Sequence, residues 1–242
     1  MIACGLTDIG LLRENNQDSL FVSNMEDFPL FIVADGMGGH KAGEIASSIA
    51  VETIKDIFLQ NRERIRHEKD VIKTIEESFK EANKRIYFQA LNEPKYSGMG
   101  TTLTMAYLFK DEIYIGHIGD SRAYYIDNKG IRQITEDDSL VNELIKNGSI
   151  TKEEALEHPQ RNVITKALGT SIDIELDIQS YKYKKGDSLI ICSDGLSNMV
   201  KEDAIIDVVK SVDDINQACE QLVGLAKENG GLDNITLIVI KF

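Results

Sequence analysis

The chain has 242 residues, of which 42% are hydrophobic and 28% charged, and its formal net charge is −13. This composition is typical of a globular protein, and the length allows one large domain or two small ones. The acidic balance argues against nucleic-acid binding, which needs a basic face. No apolar stretch approaches the ~20 residues of a membrane span.

The N-terminal segment and the cysteines indicate the compartment. Neither a basic run nor a long apolar run opens the sequence, so no signal peptide is expected. Cys4, Cys192 and Cys219 are widely spaced, odd in number and without a CxxC motif. This pattern favours buried thiols in a reducing compartment, and the expected location is the cytoplasm.

The first third of the chain predicts three short strands followed by two helices. The strands are expected at 2–7, 19–23 and 30–34. Apolar residues then recur at helical spacing over 45–58 and again over 72–90, with charged residues on the opposite faces.

From residue 101 the pattern changes to alternation. Four alternating runs, at 101–109, 112–118, 121–126 and 131–134, are separated by short polar or glycine-containing turns, which predicts an antiparallel meander. Segment 136–170 is polar with few apolar anchors and is interpreted as a flap over the structure.

Within the flap the sequence predicts a helix at 138–146 and a capping box at Thr151–Glu154. A strand pair is expected around 174–181 and 188–192, a helix at 213–228 and a last strand at 235–241. The fold class is therefore α+β, a four-layer α-β-β-α sandwich of two antiparallel sheets flanked by helices. No Gly/Ser/Pro-rich linker divides the chain, so 1–242 is expected to be a single domain.

Four aspartates lie in short turns beside strand-like runs, namely Asp35, Asp120, Asp194 and Asp233. A carboxylate beside a buried strand is costly unless something pairs with it, and several that converge would require a cation. Oxygen ligands suit hard ions such as Mg²⁺ or Mn²⁺. The spacing alone leaves a carboxylate metal site and ordinary Asp-Gly turns about equally open.

Other chemistries fit less well. The run from Asp35 to His40 nearly matches GxGxxG, but Lys41 occupies the last glycine position, so a dinucleotide site is disfavoured. Cys192 lacks the CxxxxxR pattern of a cysteine phosphatase, and the histidines form no zinc-binding pair. His117 is expected to be a packed core residue, and Arg13 is either a surface residue or a phosphate-binding fork.

Six motifs occur in the order seen in one family. They are Arg13…Asn16-Gln17-Asp18, Asp35-Gly36-Met37-Gly38-Gly39, Ser97-Gly98-Met99-Gly100-Thr101-Thr102, Gly119-Asp120-Ser121-Arg122, Ser193-Asp194-Gly195-Leu196 and Asp233-Asn234-Ile235-Thr236. Together with the stretch 158–169, they resemble the compact bacterial members of the PPM (type 2C) family of metal-dependent Ser/Thr protein phosphatases, over essentially the whole chain.

The resemblance implies a binuclear Mn²⁺ or Mg²⁺ centre with a position for a third ion. Asp35 would bridge two ions and the Gly36 carbonyl would bind one of them, while Asp194 and Asp233 hold the other. Asp18 would lie beside the ions, directly or through water. Asp120, together with Asp194, matches the position of the third ion, and Arg13 matches the phosphate-binding arginine.

The implied reaction is direct attack of a metal-bridging hydroxide on phosphoserine or phosphothreonine, without a phospho-enzyme. The implied partners are phosphorylated proteins, including a bacterial Ser/Thr kinase and its substrates, and the chain is expected to be a monomer.

Two positions depart from the eukaryotic pattern. Gln17 stands where a glutamate ligand occurs, and Met37 stands where a histidine acid occurs, which leaves His40 or a metal-bound water as the acid. Asp138 replaces a histidine common in the bacterial flap. A pseudophosphatase and a phosphodiesterase or small-molecule phosphatase are the alternatives, and the intact aspartates argue against the pseudophosphatase.

Overall fold

The computed structural model describes residues 1–23, 28–39 and 42–242, and this part of the chain forms eleven strands and seven α-helices. The strands are β1 (Ile2–Asp8), β2 (Asp18–Val22), β3 (Leu30–Met37), β4 (Gly100–Thr101), β5 (Leu103–Phe109), β6 (Glu112–Ile118), β7 (Arg122–Asp127), β8 (Gly130–Gln133), β9 (Asp177–Lys182), β10 (Ser188–Cys192) and β11 (Ile235–Lys241). The helices are α1 (Ala42–Asn61), α2 (Glu68–Asn92), α3 (Leu140–Lys146), α4 (Lys152–Leu156), α5 (Asp194–Ser197), α6 (Glu202–Ser211) and α7 (Ile215–Glu228).

The strands form two antiparallel sheets. One sheet has the order β1-β11-β10-β7-β8, and the other has the order β2-β3-β5-β6-β9 with β4 paired to β3. Because side chains alternate along a strand, β3 contributes to two cores. Leu30 and Ile32 face the core shared with α1 and α2, while Phe31 and Val33 face the core between the sheets.

The layers follow from three hydrophobic cores. Ile54 of α1 and Phe79 of α2 pack on the sheet that contains β3. Leu222 of α7 and Ile205 of α6 pack on the sheet that contains β11. The four-layer α-β-β-α sandwich predicted from the sequence is therefore confirmed.

The predicted meander is wrong in its connectivity. β5 pairs with β6 in one sheet, but β7 pairs with β8 and β10 in the other. The chain crosses between the sheets at Gly119, whose φ of 108° favours glycine. Similarly, β9 pairs with β6 and β10 pairs with β7 and β11, so the predicted strand pair is two strands of different sheets. Alternation shows which face of a strand is buried but does not identify the neighbouring strand.

The segment predicted to be a flap, 136–170, contains α3 and α4. The predicted capping box is present, because the Thr151 amide donates to Glu154 Oε2 and the Glu154 amide donates to Thr151 Oγ1. Both ends of the segment are tied to the turns around the aspartates. The Asp138 amide donates to the Gly119 carbonyl at 2.7 Å, and the Leu168 amide donates to the Thr101 carbonyl at 2.9 Å.

The helices in the described ranges are too short or too polar to cross a bilayer.

Candidate metal centre

The ends of several strands, and the turns that adjoin them, carry the predicted aspartates. Asp18 opens β2 and is the register partner of Asp35 near the end of β3. Asp194 follows β10 as the first residue of α5, and Asp233 lies two residues before β11, the neighbour of β10. Asp120 lies in the crossing between β6 and β7.

The backbone of Asp35 is fixed by the turn around β4. Its amide donates to Thr102 Oγ1 at 3.0 Å, and its carbonyl accepts from Thr101 Oγ1 at 2.8 Å. Burial, followed by repulsion from Asp18 and Asp194, raises the pKa of the Asp35 carboxyl well above its ordinary value. Asp120 and Asp233 add to this repulsion, so Asp35 lies at the electrostatic centre of the group.

Asp18 is buried with only one of its two oxygens satisfied. Ser193 Oγ donates to Oδ2 at 2.8 Å, while Oδ1 is buried without a hydrogen-bond partner in the described part of the chain. Burial raises the pKa of Asp18 to about 7, although hydrogen bonds from Thr236 and Ser193 oppose the shift. An unsatisfied buried carboxylate oxygen is costly, so this side chain has the features of a ligand.

Asp120 and Asp194 show the same pattern. Each buries Oδ1 without a hydrogen-bond partner among the described residues. Burial, with repulsion from Asp194, raises the pKa of Asp120 to about 7. Burial, with repulsion from Asp233, raises the pKa of Asp194 to about 6, although a hydrogen bond with Asp35 opposes the shift.

Asp233 differs because both of its oxygens have partners. Oδ1 accepts from the Asn234 amide at 2.8 Å, and Oδ2 accepts from Arg13 Nη2 at 2.7 Å. The Arg13 side chain is 49% exposed, and this hydrogen bond, with the charges of Asp35 and Asp194, raises the pKa of its guanidinium. Arg13 thus contacts the aspartate group directly, at its solvent edge.

Gly36 lies in a space that admits no side chain. A Cβ placed there would meet the Gly43 carbonyl oxygen at 2.1 Å and the Gln17 carbonyl oxygen at 2.6 Å. The start of α1 therefore packs directly on this turn. The Gly36 amide donates to the Gln17 carbonyl at 3.1 Å, which joins the end of β3 to the residue before Asp18.

The fit to a cation rests on the unsatisfied oxygens. Within the described ranges no three His, Cys, Asp or Glu side chains form a closed ligand cage as they stand. Three buried oxygens without partners, on Asp18, Asp120 and Asp194, nevertheless belong to carboxylates that repel one another. Hard divalent cations bind such all-oxygen sets, so the residues fit the Mn²⁺ or Mg²⁺ that the sequence implied.

Cys192 and His117 are poorly placed to act as a nucleophile or an acid. Cys192 is fully buried, and burial raises the pKa of its thiol to about 12, so a thiolate nucleophile is excluded at neutral pH. His117 is a core residue, as predicted, with hydrogen bonds to Thr104 Oγ1 and the Glu136 carbonyl. His40, the sequence-based candidate for the acid, lies outside the described residues.

Comparison with known proteins identifies the family. The model of protein phosphatase 2C matches residues 13–228. The serine/threonine phosphatase stp of Listeria welshimeri is 39% identical over 236 residues, which cover 97% of this chain and 93% of that protein. The chain belongs to the protein phosphatase 2C family. As a member it is a protein serine/threonine phosphatase, a metal-dependent hydrolase.

Solved structures agree with this membership. The crystal structure of the serine/threonine phosphatase Stp1 from Staphylococcus aureus superimposes with a TM-score of 0.91 at 37% identity, covering 99% of this chain and 94% of that one. The catalytic domain of the phosphatase PstP, solved in complex with two manganese ions, gives a TM-score of 0.86 at 32% identity, covering 98% and 96%.

The aspartate group of this phosphatase opens into a cavity of about 610 Å³. Asp120, Asp194 and Asn198 line part of it, together with residues of segment 136–170, which contains α3 and α4. The cavity wall also contains Arg122, whose guanidinium donates to the Asp137 carboxylate at 2.7 Å. Segment 136–170 therefore lines the cavity into which Asp120 and Asp194 face.

Several supporting residues were quoted in the sequence motifs without a role. Asn234 Nδ2 donates to the carbonyls of Ile9 and Asn15, and its Oδ1 accepts from the Gln17 amide. It therefore fixes the loop that carries Arg13. Ser193 and Thr236 form the small polar surroundings of Asp18. The sequence did contain a signal for both residues. Ser193 directly precedes Asp194, and Thr236 lies in the motif that begins with Asp233.

Proposed function

We propose that this phosphatase hydrolyses phosphoserine and phosphothreonine on proteins by direct attack of water, at a centre formed by Asp18, Asp35, Asp120, Asp194 and Asp233. The observation that carries the proposal is the convergence of these carboxylates, three of which bury an oxygen without a partner in the described part of the chain. Such an arrangement is unfavourable for folding and suits a site that holds cations and reacts with phosphate.

We assign these residues as ligands of two Mn²⁺ or Mg²⁺ ions and of a possible third ion. Asp35 and the Gly36 carbonyl would hold one ion, Asp35 with Asp194 and Asp233 would hold another, and Asp120 with Asp194 would hold the third. Asp18 would contact them directly or through water. When bound, the cations would supply a water of lowered pKa and positive charge for the phosphoryl oxygens.

Arg13 is the proposed phosphate-binding residue. In the described part of the chain its hydrogen bonds go to Asp233 alone, so Nε and Nη1 remain for phosphoryl oxygens. The guanidinium fork suits bidentate binding of this kind. Its half-exposed position at the edge of the centre lets a phosphorylated side chain reach it from solvent.

The surrounding residues hold the carboxylates in place. Ser193 fixes one oxygen of Asp18 and Asn198 fixes one oxygen of Asp194 at 3.0 Å, so the second oxygen of each carboxylate stays directed into the group. Fixed donors reduce the reorganisation that a reaction requires. Met37 has no ionisable proton to donate, and the leaving oxygen is expected to take its proton from His40 or from water.

The partners follow from the activity. Phosphorylated proteins are the substrates, and we propose that they include a bacterial Ser/Thr kinase and the proteins that it phosphorylates. We further propose that 1–242 acts as one catalytic domain with 136–170 as its flap, as a monomer in the cytoplasm.

The test is phosphate release from a phosphothreonine peptide with Mn²⁺, with Mg²⁺ and with EDTA. The wild-type chain is expected to act only with a divalent ion, and Asp194→Asn is expected to be inactive. Asp203→Asn, at an exposed position of α6, is the matched control and should retain wild-type activity. Binding of Mn²⁺ without release of phosphate would favour a pseudophosphatase, and preference for bis-p-nitrophenyl phosphate would favour a phosphodiesterase.

A further inference from the structure

Three leucines are exposed beside the metal centre. Leu11 is 58% exposed, Leu12 is 67% exposed and Leu232 is 48% exposed. Leu11 and Leu12 lie in the loop between β1 and β2, and Leu232 lies in the loop between α7 and β11. These three residues, here called the leucine rim, are apolar side chains that folding leaves exposed on two adjacent loops.

The two loops are fixed against each other. The Leu11 amide donates to the Gly231 carbonyl at 2.8 Å, and a Cβ at Gly231 would lie 2.8 Å from Leu11 Cγ. Gly10 has a φ of 79°, and a Cβ there would meet the Asp233 carbonyl oxygen at 2.1 Å. The leucines are therefore presented by a preorganised pair of loops, so binding there costs little ordering entropy.

The leucine rim is continuous with the catalytic edge. Leu12 precedes Arg13 and Leu232 precedes Asp233, and these two neighbours are joined by the 2.7 Å ion pair. A phosphorylated side chain held by Arg13 would bring the adjacent polypeptide over the rim. Consecutive Cα atoms are about 3.8 Å apart, so the residues within about three positions of the phosphorylated one can reach it.

Polar groups border the patch. The 3.0 Å ion pair between Lys227 Nζ and Asp8 Oδ2 lies at the end of β1 that leads into the first of these loops, and Arg13 directly follows Leu12. An exposed apolar patch with a polar border is typical of an interaction site. The other end of the centre, at Asp120 and Asp194, opens instead into the flap cavity.

We propose that the leucine rim binds an apolar side chain of the phosphoprotein substrate, close in sequence to the phosphorylated serine or threonine. This inference rests on the proposed function and adds a substrate preference to it. The rim selects the sequence around the phosphorylated residue, whereas Arg13 and the aspartates act on the phosphate itself.

The test compares phosphothreonine peptides that differ only in the flanking residues, with leucine or serine at the three positions before or the three positions after the phosphothreonine. kcat/KM is measured with Mn²⁺ for the wild-type chain, Leu12→Ser and Leu91→Ser. Leu91 is a matched control because it is 62% exposed at the end of α2. The wild type is expected to prefer a leucine peptide about tenfold, or about 1.4 kcal/mol, which is in the range for covering a leucine side chain.

Leu12→Ser is expected to lose most of this preference, and Leu91→Ser is expected to keep it. Equal kcat/KM for leucine and serine peptides in the wild type, or a preference that survives in Leu12→Ser, would overturn the inference. Hydrolysis of p-nitrophenyl phosphate by the wild type separates the two proposals: activity without a leucine preference rejects the rim alone, and inactivity on every substrate rejects the proposed function with it. A concentration-dependent dimer by light scattering, abolished by Leu12→Ser, would assign the rim to a second copy instead.

Discussion

Two carboxylates that line the same cavity are surrounded in opposite ways. Asp137 accepts hydrogen bonds from Arg122 Nε at 3.0 Å, from Arg122 Nη2 at 2.7 Å and from Gln133 Nε2 at 2.7 Å. Asp194 accepts one from Asn198 on Oδ2, and its Oδ1 is buried without a partner in the described part of the chain. Asp137 is thus satisfied by the protein itself, whereas Asp194 is not.

The difference indicates a structural role for Asp137 and a cation-binding role for Asp194. A buried ion pair whose hydrogen bonds are complete holds two segments together, and here it joins β7 to the start of the flap. A buried carboxylate with an unsatisfied oxygen makes the folded state less stable unless a cation binds. The two residues should therefore respond differently to mutation and to metal.

The largest expected effect is on turnover in Asp194→Asn. Removing the charge of this proposed ligand should lower kcat by about a hundredfold to a thousandfold, the scale for losing a main electrostatic contribution to a transition state. Melting temperatures in EDTA should stay equal to the wild type or rise, because the substitution relieves repulsion from Asp233. A strongly lowered melting temperature would mean that Asp194 is a structural residue like Asp137.

Arg122→Gln tests the paired carboxylate. It leaves Asp137 without its cation in a site where the two side chains are 27% and 14% exposed, and we expect a loss of about 2–3 kcal/mol in the free energy of unfolding. Urea denaturation with and without Mn²⁺ measures the effect, which should be the same in both. Arg122→Lys keeps the charge but not the fork, so an intermediate loss is expected. Stability equal to the wild type in both variants would contradict the structural role.

The pH dependence of stability tests the three carboxylates with an unsatisfied oxygen together. Burial raises the pKa of Asp18 and Asp120 to about 7 and that of Asp194 to about 6. A carboxyl whose folded pKa is raised binds more protons folded than unfolded, so stability increases as pH falls from about 8 towards 5. In EDTA we expect a gain of at least about 2 kcal/mol over that range.

Excess Mn²⁺ should remove or reverse this slope, because a cation favours the ionised carboxylates. The measurement is the urea midpoint at each pH, with Asp203→Asn as the control that should follow the wild type. A slope in EDTA that Mn²⁺ leaves unchanged would place the titrating groups outside the centre.

The sequence predicted the layers and the aspartates more fully than their surroundings. Hydrophobic periodicity identified α1, α2 and most strands because each buries a regular face. It did not reveal that β6 and β7 lie in different sheets, since the turn at Gly119 depends on a positive φ and on contacts with Thr102. Pairing between strands is a property of the whole fold rather than of the local pattern.

The candidate centre was likewise predictable only in part. The motifs pointed to converging aspartates, because Asp35, Asp120, Asp194 and Asp233 each lie next to an apolar strand and beside a glycine or an asparagine. The role of Asn234 could not be predicted, because its hydrogen bonds go to main-chain groups of Ile9, Asn15 and Gln17 at the other end of the chain. The exposed leucines of the rim carried no sequence signal for the same reason, since their exposure follows from the docking of two distant loops.

Arg13 combines both roles, because it pairs with Asp233 and is proposed to bind phosphate. Arg13→Ala has the smallest expected effect on stability and turnover. Its ion pair with Asp233 is half exposed, so its loss should change stability by less than about 1 kcal/mol. The guanidinium would act by binding phosphate, and we expect KM for a phosphothreonine peptide to rise about tenfold with a smaller change in kcat. Arg64→Ala, at an exposed position remote in sequence, serves as the control for loss of a surface arginine. An unchanged KM would mean that Arg13 only neutralises Asp233. A large loss of stability would mean that this ion pair is structural, like that of Arg122 and Asp137.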